Sequence, residues 1–160
     1  MLAAALSLVL ACGGGSPGGG ATAAVGGKPD FRLKTTDGRT LGPRDFPGQV
    51  VVVDFWATWC GPCHLQAKIL EPVSRDLAGH GVQFLAADVG EPEDTVRSFL
   101  AGSPYPYPVL LDPESKVSDS FGINALPTLM VIDKNGRISF LEPGIHDGDS
   151  LKRIIREAGA

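Results

Sequence analysis

Cys60 and Cys63 are separated only by Gly61-Pro62, and they follow an apolar run, Val50 to Trp56, that a single carboxylate, Asp54, interrupts. Two thiols at that spacing can form a structural disulfide, supply half of a metal site, or make and break a bond as a redox pair. A ring so short constrains the unfolded chain far less than the longer loops that staple small domains. A structural zinc site takes four ligands, and beyond this pair the chain offers only Cys12, His64, His80 and His146, without paired spacing. Redox exchange is the chemistry that uses the pair as it stands.

Such exchange needs a reactive thiolate. Where the apolar strand gives way to a helix at Gly61, unpaired backbone N–H groups and the positive end of the helix dipole face Cys60. They lower its pKa from about 8.5 towards 7 or below. Cys60 is therefore the expected nucleophile, and Cys63, one turn on and less exposed, the thiol that closes the ring. Pro62 is tolerated because early helical N–H groups have no intrahelical acceptor. A carboxylate in the middle of a central strand must be partly buried, so desolvation should raise Asp54 from about 3.9 to where it exchanges a proton near neutrality. A hydrogen-bonded, purely structural Asp54 is the alternative. Trp59 is expected to form an exposed apolar rim for substrate, Trp56 to lie in the core, and His64 to be a surface residue.

The elements that hold these groups can be read from periodicity. Phe31 to Thr36 and Arg39 to Leu41 flank the turn Asp37-Gly38 and predict a short hairpin. Gln49 to Trp56 lacks alternation, which suits a central strand covered on both faces. Gly61 to Gly79 predicts a helix, with Leu65, Ile69, Val73 and Leu77 as its apolar stripe and Pro72 as a kink. Val82 to Val89 predicts a second buried strand, Glu91 to Leu100 a helix with acids in its first turn, and Val109 to Leu111 a strand. A short helix over 115–121 and a strand from Thr128 to Asp133 follow. Asn135-Gly136 turns that strand into Arg137 to Leu141, and Leu151, Ile154 and Ile155 mark a final helix. Strands alternating with helices and ending in a hairpin give an α/β fold around a mixed sheet.

At 160 residues and 43% hydrophobic, the chain carries material for one core. A net charge of −4 without a basic run argues against a nucleic-acid partner. Residues 1–11, MLAAALSLVLA, are too short for a bilayer span of about 20 residues and read as a signal peptide. No Lys or Arg precedes Lys28, so the true start is expected upstream of Met1. Val9-Leu10-Ala11-Cys12 resembles a bacterial lipobox, which makes Cys12 the expected lipidation site and first mature residue. Residues 12–28 then form a lipidated, Gly-rich tether with a reach of roughly 20 Å, and residues 29–160 the folded domain.

Val53-Asp54-Phe55-Trp56-Ala57-Thr58-Trp59-Cys60-Gly61-Pro62-Cys63 resembles the active-site segment of thioredoxins, and Leu126-Pro127-Thr128 resembles their cis-proline loop. The stretch from Ala86-Ala87-Asp88-Val89-Gly90-Glu91 to Val109-Leu110-Leu111-Asp112 is similar to the helical insertion of membrane-tethered, extracytoplasmic TlpA/ResA-type thiol-disulfide oxidoreductases. The likeness spans about residues 29 to 158. It implies a thioredoxin fold with an N-terminal β-hairpin, a cis Pro127 lying against the cysteines, and substrate contacts at Trp59, Gly61, Pro62, Leu126 and Pro127. It also implies that Asp54 lies beneath the cysteines and helps deprotonate Cys63. Many of these relatives carry a Glu three residues after the second cysteine. Here that residue is Gln66, which cannot titrate, so Asp54 is left as the candidate proton acceptor.

The expected function is that of a protein disulfide reductase needing no external cofactor, held by lipidated Cys12 to a bacterial membrane on its extracytoplasmic side. Gly-Pro is the dipeptide of thioredoxin, whose potential is about −270 mV, and this favours a reductant. The expected partners are an integral-membrane thiol donor and disulfide-containing proteins, with apocytochrome c among the substrates the resemblance implies; a monomer is expected. Two rivals stand beside it. A peroxiredoxin-type thiol peroxidase shares the fold and a KPDFRL-like opening but calls for a lone peroxidatic Cys. A thioredoxin-fold copper chaperone spaces its cysteines more widely and adds a distal His, for which only His146 comes late enough.

Overall fold

The structure, a computed structural model, describes residues 25–160; the expected signal peptide, Cys12 and the Gly-rich tract before Val25 lie outside the described residues. Strands β1 (Leu33–Thr35) and β2 (Thr40–Leu41) form the expected hairpin, and a 3-10 turn over Pro43–Asp45 leads to β3 (Val50–Trp56). Helix α1 (Gly61–Asp76), strand β4 (Val82–Val89), helix α2 (Glu93–Gly102) and strand β5 (Val109–Asp112) follow. Helix α3 (Lys116–Ser120), the hairpin β6 (Thr128–Ile132) and β7 (Ile138–Pro143), and helix α4 (Gly148–Glu157) complete the chain. The seven strands make one mixed sheet in the order β2-β1-β5-β4-β3-β6-β7. This is the thioredoxin-like α/β arrangement that the sequence predicts, with β5 of the insertion built into the sheet.

All seven residues of β3 are buried because the strand is paired on both edges and covered on both faces. Its even-numbered residues Val50, Val52 and Trp56 pack with Leu70 and Val73 of α1, Val96 of α2 and Leu151 and Ile155 of α4. Its odd-numbered residues Val51, Val53 and Phe55 join Leu85, Leu110 and Met130 on the other face, under Phe31, Val117 and Phe121. Since side chains alternate along a strand, Asp54 belongs to the α1 face. Near the opposite end of the sheet from the cysteines, Gly26 N–H donates to Ile138 O and Ile138 N–H to Gly27 O, so the chain is engaged from Gly26 onwards.

Three local expectations change. Helix α1 stops at Asp76 rather than Gly79, because Gly79 and Gly81 take positive φ of 78° and 73° in a turn. It runs through Pro72 without ending. Its buried face is Cys63, Gln66, Leu70 and Val73, while Leu65 is 51% exposed. The position of Cys63, enclosed in the first turn, fixes which side of the helix faces the sheet. Finally, Glu91 is not in α2. Pro92 is the N-cap, Glu93 and Asp94 supply the acidic first turn, and the residue before a proline is steered out of helical backbone.

Candidate active site

Strand β3 delivers the chain to Cys60 at the end of the sheet where β4 and β5 also finish and where β6 begins. Cys60 is the N-cap of α1 in extended backbone, and its Sγ accepts the Cys63 N–H at 3.2 Å. Cys60 and Cys63 are joined as a disulfide with their Cα atoms 5.3 Å apart. Cys63 is fully enclosed and Cys60 is 3% exposed, so Cys60 is the sulfur that an incoming thiol meets first. Next to it the Trp59 ring is 72% exposed, and Gly61 and Pro62 are exposed as well. Trp56 lies in the core as expected. The Leu126–Pro127 peptide is cis, with Leu126 half-buried and Pro127 buried. Thr128 pairs with Phe55, which puts this loop at the cysteine end of β3.

Asp54 is 1% exposed, and neither carboxyl oxygen has a hydrogen-bond partner among the described residues. Burial pushes its pKa well above the ordinary carboxylate range. It therefore holds a proton in conditions where an exposed Asp has lost it. Gln66 is also fully buried, and its amide spans the backbone of the β7–α4 connection. Its Oε1 accepts the His146 N–H at 2.7 Å, and its Nε2 donates to His146 O at 3.4 Å. The position that carries an acid in many relatives is here a neutral clamp between α1 and residue 146.

Several residues that the sequence reading passed over converge on the turn before Cys60. Thr58 N–H and Thr58 Oγ each donate to the buried Glu91 carboxylate at 2.6 Å. On the other side, His64 Nε2 donates to Thr58 O at 2.9 Å while its ring stacks on Phe99 at 5.0 Å. His64 is thus half-buried and pins the cysteine turn, instead of being a free surface residue. Gly90, with φ of 79°, turns the chain after β4 so that Glu91 reaches back across the sheet end. A signal for this cluster was present: Asp88 interrupts the apolar run Val82 to Val89 as Asp54 interrupts β3. Asp88 is fully buried, without a hydrogen-bond partner among the described residues, and burial together with the adjacent Glu91 carboxyl pushes it up to about 8.

A redox-closed CxxC at a helix N-terminus performs thiol-disulfide exchange. The comparisons agree. Residues 27–141 match the AhpC/TSA family. The thiol-disulfide oxidoreductase ResA of Geobacillus thermodenitrificans is 32% identical over 127 residues, which is 79% of this chain and 73% of that protein. A thiol:disulfide interchange protein DsbE from Chlorobium tepidum superposes with a TM-score of 0.78 at 29% identity, covering 85% of this chain and 98% of its own. The exposed lipoprotein thioredoxin Etrx1 of Streptococcus pneumoniae does so with a TM-score of 0.72 at 28% identity, over 80% and 98%. With its closed Cys60–Cys63 pair, this chain belongs to the AhpC/TSA family and, within it, to the ResA-type thiol-disulfide oxidoreductases that act on disulfide substrates.

Proposed function

We propose that the protein is an extracytoplasmic disulfide reductase, tethered to a bacterial membrane through Cys12, which reduces protein disulfides by dithiol exchange. The observation that carries this reading is the Cys60–Cys63 pair itself, with Cys60 next to exposed Trp59 and barely reached by solvent, and Cys63 fully enclosed. In the reduced protein, the Cys60 thiolate attacks one sulfur of a substrate disulfide. The substrate S–S bond breaks, its electron pair leaves on the other substrate sulfur, and a mixed disulfide forms. Cys63 then loses its proton to Asp54, in the molecules in which that carboxyl is ionised, and attacks Cys60 Sγ, releasing the second substrate thiolate. The substrate gains two electrons and the Cys60–Cys63 pair is oxidised. Asp54 suits the acceptor role because it is on the face of β3 that α1 covers and its proton affinity is raised. Trp59, Gly61 and Pro62 on one side and Leu126-Pro127 on the other frame the substrate segment.

The direction follows from the Gly-Pro dipeptide, which in thioredoxin goes with a potential of about −270 mV. Such a reductant outside the cytoplasm must be recharged, so an integral-membrane thiol donor is its partner, and apocytochrome c thiols in a CxxCH segment are the first substrate to test. Support for the anchor comes from Val9-Leu10-Ala11-Cys12, the Gly-rich tract after it, and the lipoprotein status of the pneumococcal neighbour. Among the described residues no helix is long and apolar enough to cross a membrane.

Trapping with Cys63→Ser tests the reading: the variant should accumulate a mixed disulfide through Cys60 with an extracytoplasmic protein. A Cys60–Cys63 potential near −120 mV, that of a strong oxidant, would overturn the reductant assignment. The AhpC/TSA match favours thiol peroxidase as a second reading. Rapid peroxide consumption by the reduced protein would establish it.

A further inference from the structure

The two ends of the sheet carry charge of opposite sign. At the cysteine end, the segments that follow β4, β5 and β7 bring up Glu93, Asp94, Glu114, Glu142, Asp147 and Asp149, against Lys34, Arg97 and Lys116. Strand β6 starts beside Phe55 and ends beside Val51, so the β6–β7 turn lies at the far end. There Lys134 and Arg137 stand with Lys28 and Arg44, against Asp30 and Asp133. In a chain whose net charge is −4, this face is a local reversal of sign.

The two acids of that face are already engaged. Asp30 pairs with Arg44 at 2.9 Å, and Asp133 Oδ1 accepts the Asn135 and Arg137 N–H groups, both at 2.9 Å, inside the turn. Lys28 and Lys134 are exposed and form no ion pair among the described residues. Lys28, Arg44 and Lys134 border one cavity of about 460 Å³, with Phe46, Val51 and Ile132 in its apolar lining. That is room for a phosphate and the glycerol that carries it. The same end receives the segment that follows Cys12. Gly26 N–H donates to Ile138 O at 2.7 Å and Arg137 Nη1 donates to Gly26 O at 2.9 Å, so the chain enters the fold at the edge of the basic face.

We propose that this face, centred on Lys28, Arg44 and Lys134, docks on the phosphates of an anionic phospholipid surface and holds the cysteines on the side of the domain away from the bilayer. The inference rests on the reading of residues 12–24 as a tether from a lipidated Cys12. A tether with a reach of roughly 20 Å keeps its point of entry close to the headgroups, at high effective concentration. Charge then decides which way the domain lies. The seven residues of β3 set the cysteine end about 20 Å from the basic face. The screening length is about 8 Å at physiological ionic strength, so the acids around the cysteines feel little repulsion in this pose and strong repulsion in the inverted one.

The test couples the chain from Cys12 onward to a maleimide-bearing lipid in vesicles. With Cys60 and Cys63 closed as a disulfide, Cys12 is the remaining cysteine of the three, so the anchor is supplied chemically. Both tryptophans, Trp56 and Trp59, lie at the cysteine end and act as donors for energy transfer to dansyl groups on the lipid headgroups. Replacing part of the phosphatidylcholine by phosphatidylglycerol should lower the transfer about twofold, because docking lifts the tryptophans by a distance comparable with the length of β3. Combining Lys28→Glu with Lys134→Glu, or adding high salt, should restore the phosphatidylcholine value. Lys116→Glu, at the other end, should leave the drop in place. The double variant should exchange with a soluble disulfide at the wild-type rate, which checks that its fold is intact. Transfer that ignores phosphatidylglycerol, rises with it, or falls equally in the double variant would overturn the docking face. An unacylated Cys12 in protein recovered from cells would instead overturn the tether on which the inference rests.

Discussion

Raising the pH from 5 to 7 should destabilise the oxidised protein, and Asp54 and Asp88 should be the cause. Both are buried carboxyls with raised pKa values, so in this interval the native state keeps protons that the unfolded state has released. For a raised acid the stability is fully present below the unfolded value of about 3.9, falls as pH rises, and stops falling above the folded value. For Asp88 that window closes at about 8. Each such group changes unfolding free energy by about 1.4 kcal/mol per pH unit inside its window, so Asp88 across two pH units contributes at most about 3 kcal/mol, and Asp54 adds in the same direction. Asp88 lies beside Glu91, which reaches the surface, and relaxation there trims its share. About 3 kcal/mol is the expected loss, a large part of the 5–15 kcal/mol that holds a typical domain together. Carboxylates lowered by ion pairs, such as Asp37 and Glu93, act with the opposite sign but below about pH 4, outside the interval. Urea unfolding of the disulfide-intact protein at pH 5, 6 and 7 measures the slope. Asp54→Asn and Asp88→Asn should each make it shallower, and the double variant should be nearly flat. Parallel slopes for wild type and both single variants would refute the placement of two neutral carboxyls behind the active site.

Two further outcomes test the supports around the cysteines. Gln66→Glu keeps the acceptor for the His146 N–H but turns a carboxyl oxygen towards His146 O, so the new acid must hold a proton to stay bonded. The variant should lose about 1–3 kcal/mol at pH 8 and much less at pH 5, and a larger loss at pH 5 would contradict the clamp. Glu91→Gln puts an amide NH2 against one of the two donors of Thr58, and should cost about 1–3 kcal/mol in urea unfolding. A change below about 0.5 kcal/mol would mean that Glu91 does not hold the cysteine turn.

The redox pair and the fold class were legible because both are local signals. Cys60-Gly61-Pro62-Cys63 lies within one turn of chain, the unbroken apolar run into Trp56 marks a central strand, and Asn135-Gly136 specifies the β6–β7 hairpin. Asp54 was legible for the same reason, as an acid among β-branched residues. Asp88 broke its own strand in the same way. Nothing in the sequence says that residues 54 and 88 share a face, since that depends on the parallel register of β3 with β4.

By itself, then, the sequence determined the chemistry of the pair, its place at a strand-to-helix junction, and the alternation that makes a mixed sheet. Only the tertiary structure decided which groups surround it. Glu91 holds Thr58 from 33 residues away, and Gln66 meets His146 across 80. Tyr105 packs its ring 4.8 Å from Trp56, brought there by a connection that periodicity cannot orient. Hydrophobic patterning fixes which face of a strand or helix is buried, but the partner of a buried polar group is set by strand register and by the path of the loops, and these emerge only when the whole sheet closes.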